Sequence, residues 1–159
     1  MHRALAFIAL AALLASCGFQ LRGQVPLPAV AARPYVDSPD RFTPLYTALE
    51  RRLRAAGAVP AASASAASVV VRLHVDETGR ELLSVTADNK PGEYEVFYAA
   101  EFSVTNDAAE LIARTQVRLT RNYGYDESAV LAKEHEEASL RAALAGEIAD
   151  LILRRLAAL

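Results

Sequence analysis

Four groups of side chains in this chain could do chemistry: Glu134-His135-Glu136-Glu137, His74, the serines of residues 63–68, and the single cysteine, Cys17. A His-Glu pair on a helix can hold zinc when a second histidine follows one turn later, because two imidazoles then share a face. That position is Ser139, so the run reads as a solvated acidic helix turn. His74 falls on the polar side of an alternating segment. The serines have no histidine or acid set beside them by any hydrolase motif. Gly79 and Gly92 stand alone and form no phosphate-cradling loop. These observations predict neither enzymatic activity nor a cofactor or metal.

Cys17 has a different context. Met1-His2-Arg3 gives a positive start, and residues 4–15 form an unbroken apolar run. That run is too short to span a bilayer as a stable helix. A positive end, a short apolar core and small residues before a cut describe a secretory signal. The cut falls at Leu14-Ala15-Ser16-Cys17, which resembles the lipobox of bacterial lipoproteins, whose cysteine is acylated. Residues 1–16 are therefore expected to be a lipoprotein signal peptide. Its removal would leave 143 residues and, with Arg3 gone, shift the net charge from −2 to −3. Each buried methylene of an acyl chain contributes about 0.8 kcal/mol, so two or three chains would anchor the protein durably. Gly18 follows the cysteine where, in the lipoprotein sorting pattern, aspartate retains proteins at the inner membrane. Gly18 thus points to the outer membrane of a Gram-negative cell.

The 159 residues suffice for one domain. Apolar residues make up 53% and charged residues 23%, with no long basic block; that balance argues against nucleic acid as a partner. With no second cysteine, the domain must be stable without a disulfide.

Elements must position whatever the chain does. Residues 24–32 carry two prolines and no periodicity; with the anchor, residues 17–32 read as a lipidated tether. Residues 33–37 suit a short first strand, with Pro34 at its start or edge. Thr43-Pro44 predicts a helix start, Thr43 as N-cap and Pro44 at the first helical position. Leu45, Leu49 and Leu53 then recur every four residues, and Gly57 is a stop. Residues 58–68 read as a loop. Val69, Val71, Leu73 and Val75 alternate with Arg72, His74 and Asp76, a strand, with a bulge or bend expected at residues 77–79 and extended chain to residue 87. Residues 88–92 signal a turn. Residues 94–104 and 111–120 alternate as two further strands around a turn at Asn106-Asp107. Leu111, Ala113, Thr115, Val117 and Leu119 are expected on one side of the second, opposite Ile112 and Arg114. Ser128 is a candidate cap for a last helix with the apolar stripe Leu140, Leu144, Ile148, Leu151, Ile152 and Leu156. The order predicts an α+β two-layer sandwich over residues 33–159, two helices on one face of a mostly antiparallel sheet of about four strands. Arg72, His74, Glu95, Glu101, Arg114 and Arg118 would lie on the other, uncovered face.

Cys17-Gly18-Phe19-Gln20-Leu21-Arg22-Gly23 resembles the mature start of the LptE family, although histidine is frequent at the position of Gln20. The resemblance extends to Glu93-Tyr94 at a strand start, to Leu131-Ala132-Lys133-Glu134, and to the amphipathic C-terminal helix. It implies a non-enzymatic outer-membrane lipoprotein, its domain facing the periplasm and the barrel lumen. Such a protein assembles with and plugs the LptD β-barrel, supporting lipopolysaccharide transport. The uncovered polar face suits a wet barrel lumen, which makes Arg72, Arg114 and Arg118 the expected partner contacts. Lipopolysaccharide phosphates call for cations. Lys133 matches the family position near the last helix, and Lys90 is the nearest cation in the hairpin. The competing reading is an auxiliary lipoprotein of a lipid-transport ATPase complex. An anchored hydrolase would need residues that the sequence does not place.

Overall fold

The computed structural model describes residues 26–159; Cys17 and the expected signal peptide lie outside them. After a 3-10 turn at Ala29–Ala31 the elements are β1 (Pro34–Asp37), α1 (Pro44–Ala55), β2 (Val69–Val85), β3 (Pro91–Thr105), β4 (Glu110–Gly124) and α2 (Val130–Ala157). The sheet runs β1-β2-β3-β4. β1 pairs with β2 in parallel and the other pairs are antiparallel. A parallel neighbour needs a crossover, and α1 supplies it.

Local chemistry sets the boundaries. Thr43 Oγ1 accepts the Tyr46 N–H at 3.1 Å, with Pro44 at the first helical position. At the far end of α1, Ala58 N–H reaches Leu53 O and Gly57 N–H reaches Arg54 O, both at 3.0 Å. This double closure needs a left-handed residue, and Gly57 has φ +85°. Asn89, at φ +58°, turns the β2–β3 hairpin, as asparagine tolerates. Asn106 Oδ1 accepts the N–H groups of Ala108 and Ala109 and turns β3 into β4. The start of α2 departs from expectation. Asp126 caps the turn before it, accepting both the N–H and the hydroxyl of Ser128. Ser128 is a donor there, because the carboxylate is the stronger acceptor.

Both helices cover one face of the sheet. Leu45, Leu49 and Leu53 of α1, and Leu144, Ile148, Ile152 and Leu156 of α2, are fully buried against Val69, Val71, Val96, Tyr98, Phe102 and Val104. Burying each large side chain contributes about 1.5–3 kcal/mol. The helices are tied to each other by Arg52, whose Nε and Nη2 reach the Asp150 carboxylate at 2.5 and 3.2 Å. No helix among the described residues is long and apolar enough to cross a membrane.

The sheet corrects the expected alternation in two places. In β2, Leu73 faces Phe102 and Val75 faces Glu101, so His74 is an extra residue. A bulge of this kind moves everything after it to the opposite face. Val75 therefore joins the open face, and Asp76, Thr78 and Arg80 join the helix face opposite Ala100, Tyr98 and Val96. Residues 77–79, where a bulge or bend was expected, pair regularly. In β4, Thr115 faces Phe102 and Ile112 faces Val104. One extra residue thus brings Ile112 to the core side.

Candidate functional site

The turned-in part of β2 builds a polar cluster on the helix face. Glu137 of α2 is 9% exposed. Its Oε2 accepts the Arg80 guanidinium at 2.9 Å and the Tyr123 hydroxyl at 2.8 Å, and its Oε1 accepts Arg141. Burial pushes the Glu137 carboxyl up. The Tyr123 and Arg80 hydrogen bonds and the charge of Arg141 outweigh that and leave it below the ordinary value. Burial, followed by the bond to Glu137, pushes the Tyr123 phenol up. Arg80 also lies over the Tyr94 ring at 4.7 Å. Tyr94 in turn stacks on Tyr123 and meets the edge of Tyr125. Arg80, Glu134, Glu137, Ala138 and Arg141 line a cavity of about 420 Å³ beside the cluster.

Glu137 corrects the reading of residues 134–137 as a solvated turn. Glu134, His135 and Glu136 are exposed, but Glu137 is buried. It lies seven residues before Leu144, two helical turns, so it extends the apolar stripe. A carboxylate in that row was the available signal. Its partners on β2 and β4 could not be read locally.

The two candidate lipopolysaccharide-binding lysines lie at this end of the domain. Lys90, in the hairpin turn, reaches Glu127 at 2.6 Å. Lys133, in the first turn of α2, reaches Glu136 at 2.8 Å. The Tyr125 N–H donates to Gly92 O at 2.8 Å and draws the hairpin to the helix start. Two hydrogen bonds from Ser128, and then the Lys133 charge, hold Asp126 below the ordinary carboxylate range. Leu82, Leu83 and Val85 of the hairpin, and Val130 and Leu131 of the helix, are exposed nearby in the chain.

Arg72, Arg114 and Arg118 are elsewhere, on the open sheet face, and each has an internal counter-ion. Arg72 pairs with Asp37 at 2.8 Å, Arg114 with Glu101, and Arg118 with Glu81 at 2.8 Å. Arg118 also stacks on the Phe97 ring at 4.0 Å. Phe97 lies across Gly79, where an added Cβ would meet the ring at 2.8 Å. His74 Nε2 and Ser103 Oγ are 2.8 Å apart. A groove of about 270 Å³ runs along this face past Val75, Ala99, Glu101, Gln116 and Arg118. The face can present hydrogen-bonding groups and a shallow apolar floor, its arginines paired and its further carboxylates, such as Glu77 and Glu95, free to hydrate.

Comparison with known proteins agrees with this architecture. The sequence pattern of the LptE family, described as lipopolysaccharide-assembly, matches residues 32–156. The LPS-assembly lipoprotein LptE of Pectobacterium atrosepticum is 26% identical over 143 residues, covering 89% of this chain and 77% of that protein. The solution structure of uncharacterized lipoprotein B from Nitrosomonas europaea superposes with a TM-score of 0.72 at 25% identity, covering 89% of this chain and 91% of that one. The crystal structure of rare lipoprotein B from Shewanella oneidensis gives 0.66 at 29% identity, covering 79% and 94%.

Proposed function

Because this chain belongs to the LptE family of lipopolysaccharide-assembly proteins, we propose that it is an outer-membrane lipoprotein that assembles with and plugs an LptD-type β-barrel. Residues 1–16 serve as the signal peptide, Cys17 carries the acyl chains, residues 17–32 are the tether and residues 33–159 are the working domain. The protein supports lipopolysaccharide transport by holding the barrel and contacting its cargo, and no covalent step is needed for either task.

One observation carries this reading. Among the described residues the sheet has one face buried under two helices and the other uncovered, and on the uncovered face Arg72, Arg114 and Arg118 are each paired with a carboxylate. A water-exposed polar face whose arginines are already paired can enter a wet, polar lumen without bringing an unpaired cation. Its further carboxylates, Glu77 and Glu95, can stay hydrated there, since burying an unpaired charge would be costly. Lys90 and Lys133 lie away from that face, at the hairpin end, and are the residues that would meet lipopolysaccharide phosphate.

Co-purification from outer membranes in mild detergent tests the reading. An LptD-type barrel should be recovered with the full-length protein in near-equal amount. Recovery of a transport ATPase complex without a barrel would overturn it and favour the auxiliary-lipoprotein reading.

A further inference from the structure

The Arg80–Glu137–Arg141 cluster is more elaborate than helix docking requires. Three donors converge on one carboxylate, and replacing a buried charged cluster with apolar groups is often neutral or stabilising. Glu137 takes one N–H from each arginine, Nη1 of Arg80 and Nη2 of Arg141. A guanidinium has five. Arg141 Nε is buried without a partner among the described residues, although buried donors are nearly always satisfied. Both side chains remain partly open, Arg80 by 44% and Arg141 by 32%, and both line the 420 Å³ cavity. The space is an open cleft at the surface, accessible to a group carried on a larger molecule.

We propose that Arg80 and Arg141, held in place by Glu137, form a binding site for a phosphate monoester. The chemistry follows from the arrangement. Two guanidiniums face the buried Glu137 and the exposed Glu134 across the wall, so the formal charge balances and an anion would be held by the guanidinium N–H groups that Glu137 leaves free. The carboxylate fixes both forks, so little side-chain freedom is lost when an anion arrives. Tyr94 fixes Arg80 from its other side. Planar forks suit phosphate oxygens, which accept two parallel N–H groups. Glu134, also at the cavity, is exposed to water, and its side chain can swing away from an arriving anion. The site lies one helical turn beyond Lys133. It deepens the lipopolysaccharide reading, and it rests on that reading only for the choice of lipid.

The test uses the full-length acylated protein in detergent. Binding is measured for lipid A, for the same glycolipid stripped of its phosphates, and for inorganic phosphate. The variants are Arg80→Gln, Arg141→Gln and Lys133→Glu, with Arg54→Gln, whose ion pair with Glu50 lies on α1, as control. Losing a charge-assisted hydrogen bond should weaken lipid A binding roughly tenfold or more. We expect this for Arg80→Gln and Arg141→Gln but not for Arg54→Gln, and we expect the stripped glycolipid to bind weakly to every form. If Arg80→Gln does not fold, Arg80→Gln/Glu137→Gln removes the stranded charge as well and is read in its place. Arginine-dependent binding of inorganic phosphate without lipid A would keep the phosphate site and defeat the lipopolysaccharide reading. Wild-type lipid A affinity in both arginine variants, with loss in Lys133→Glu, would overturn the site and leave that reading standing. Binding of none of the three probes by the wild type would overturn both.

Discussion

The Tyr98 hydroxyl donates to the Asp76 carboxylate at 2.7 Å beneath α1. The pair meets only because His74 adds a residue to β2 and turns Asp76 to the helix face. The same carboxylate accepts the Thr43 hydroxyl at 2.5 Å, and Tyr98 Oη accepts the Leu45 N–H at 3.1 Å. Burial, and then the neighbouring Asp76 charge, push the Tyr98 phenol well above its ordinary range. One β-bulge therefore fastens the N-terminus of the first helix to the sheet.

Tyr98→Phe should destabilise the domain by roughly 1.5–3 kcal/mol, the worth of a hydrogen bond to a charged group. It also strands the Leu45 N–H. Chemical denaturation measures this, and a midpoint unchanged from wild type would show that the network is idle.

Gly79→Ala places a methyl 2.8 Å from the Phe97 ring. The ring must move and lose its contact with Arg118. Overpacking a core costs about 1–3 kcal/mol; the tip of the half-exposed Phe97 ring can swing aside, so the loss here should fall at or below the low end of that range. Phe97→Leu in the same chain should recover most of the loss. A double-mutant cycle reads the coupling, and simple additivity would contradict the contact.

Acid should weaken the cluster at Glu137. Its carboxyl is held below the ordinary value of 4.5, so its contribution is fully present above that value. It is lost as pH falls through the folded-state value. The stability gap between wild type and Glu137→Gln should therefore shrink on acidification below about 4.5. A gap that stayed constant or widened would mean that Glu137 is not held ionised by its three donors.

Arg114→Glu with Arg118→Glu sets new carboxylates beside Glu101 and Glu81 on the open face. Surface changes usually cost within about 0.5 kcal/mol, and these two like-charge contacts add somewhat to that. Monomer abundance should hold, while the added negative charge on the open face should weaken docking in the barrel. Lys133→Glu should keep the barrel and lose lipopolysaccharide. Paired pulldown and lipid-binding assays separate the two effects, and retention of both activities by both variants would remove these residues from the site.

Cys17→Ala should abolish acylation and leave an unprocessed or soluble product, because the chain has no other cysteine. Metabolic labelling with a fatty acid reads this directly. Label that persisted in the variant would place the anchor elsewhere.

Much of this protein is legible from its residues in order, because much of it is local. Thr43-Pro44 and Gly57 bound the first helix through contacts made within a few residues. Asn106 closes its own turn, and the stripe through Leu144, Ile148 and Ile152 needs only helical geometry to form one face. The two-layer sandwich follows, since two apolar stripes and one apolar sheet face have few ways to meet. The tertiary structure decided what depends on pairing between distant strands. Whether a strand holds an extra residue is a property of its ladder, so the bulge at His74, and with it the sides taken by Val75, Asp76 and Arg80, could not be seen by alternation. Glu137 looks like its solvated neighbours until Arg80 and Tyr123 arrive from 57 and 14 residues away. The arginines of the open face likewise look like free charge in the sequence. Folding brings each one its carboxylate, so the face is polar but offers no free cation of theirs.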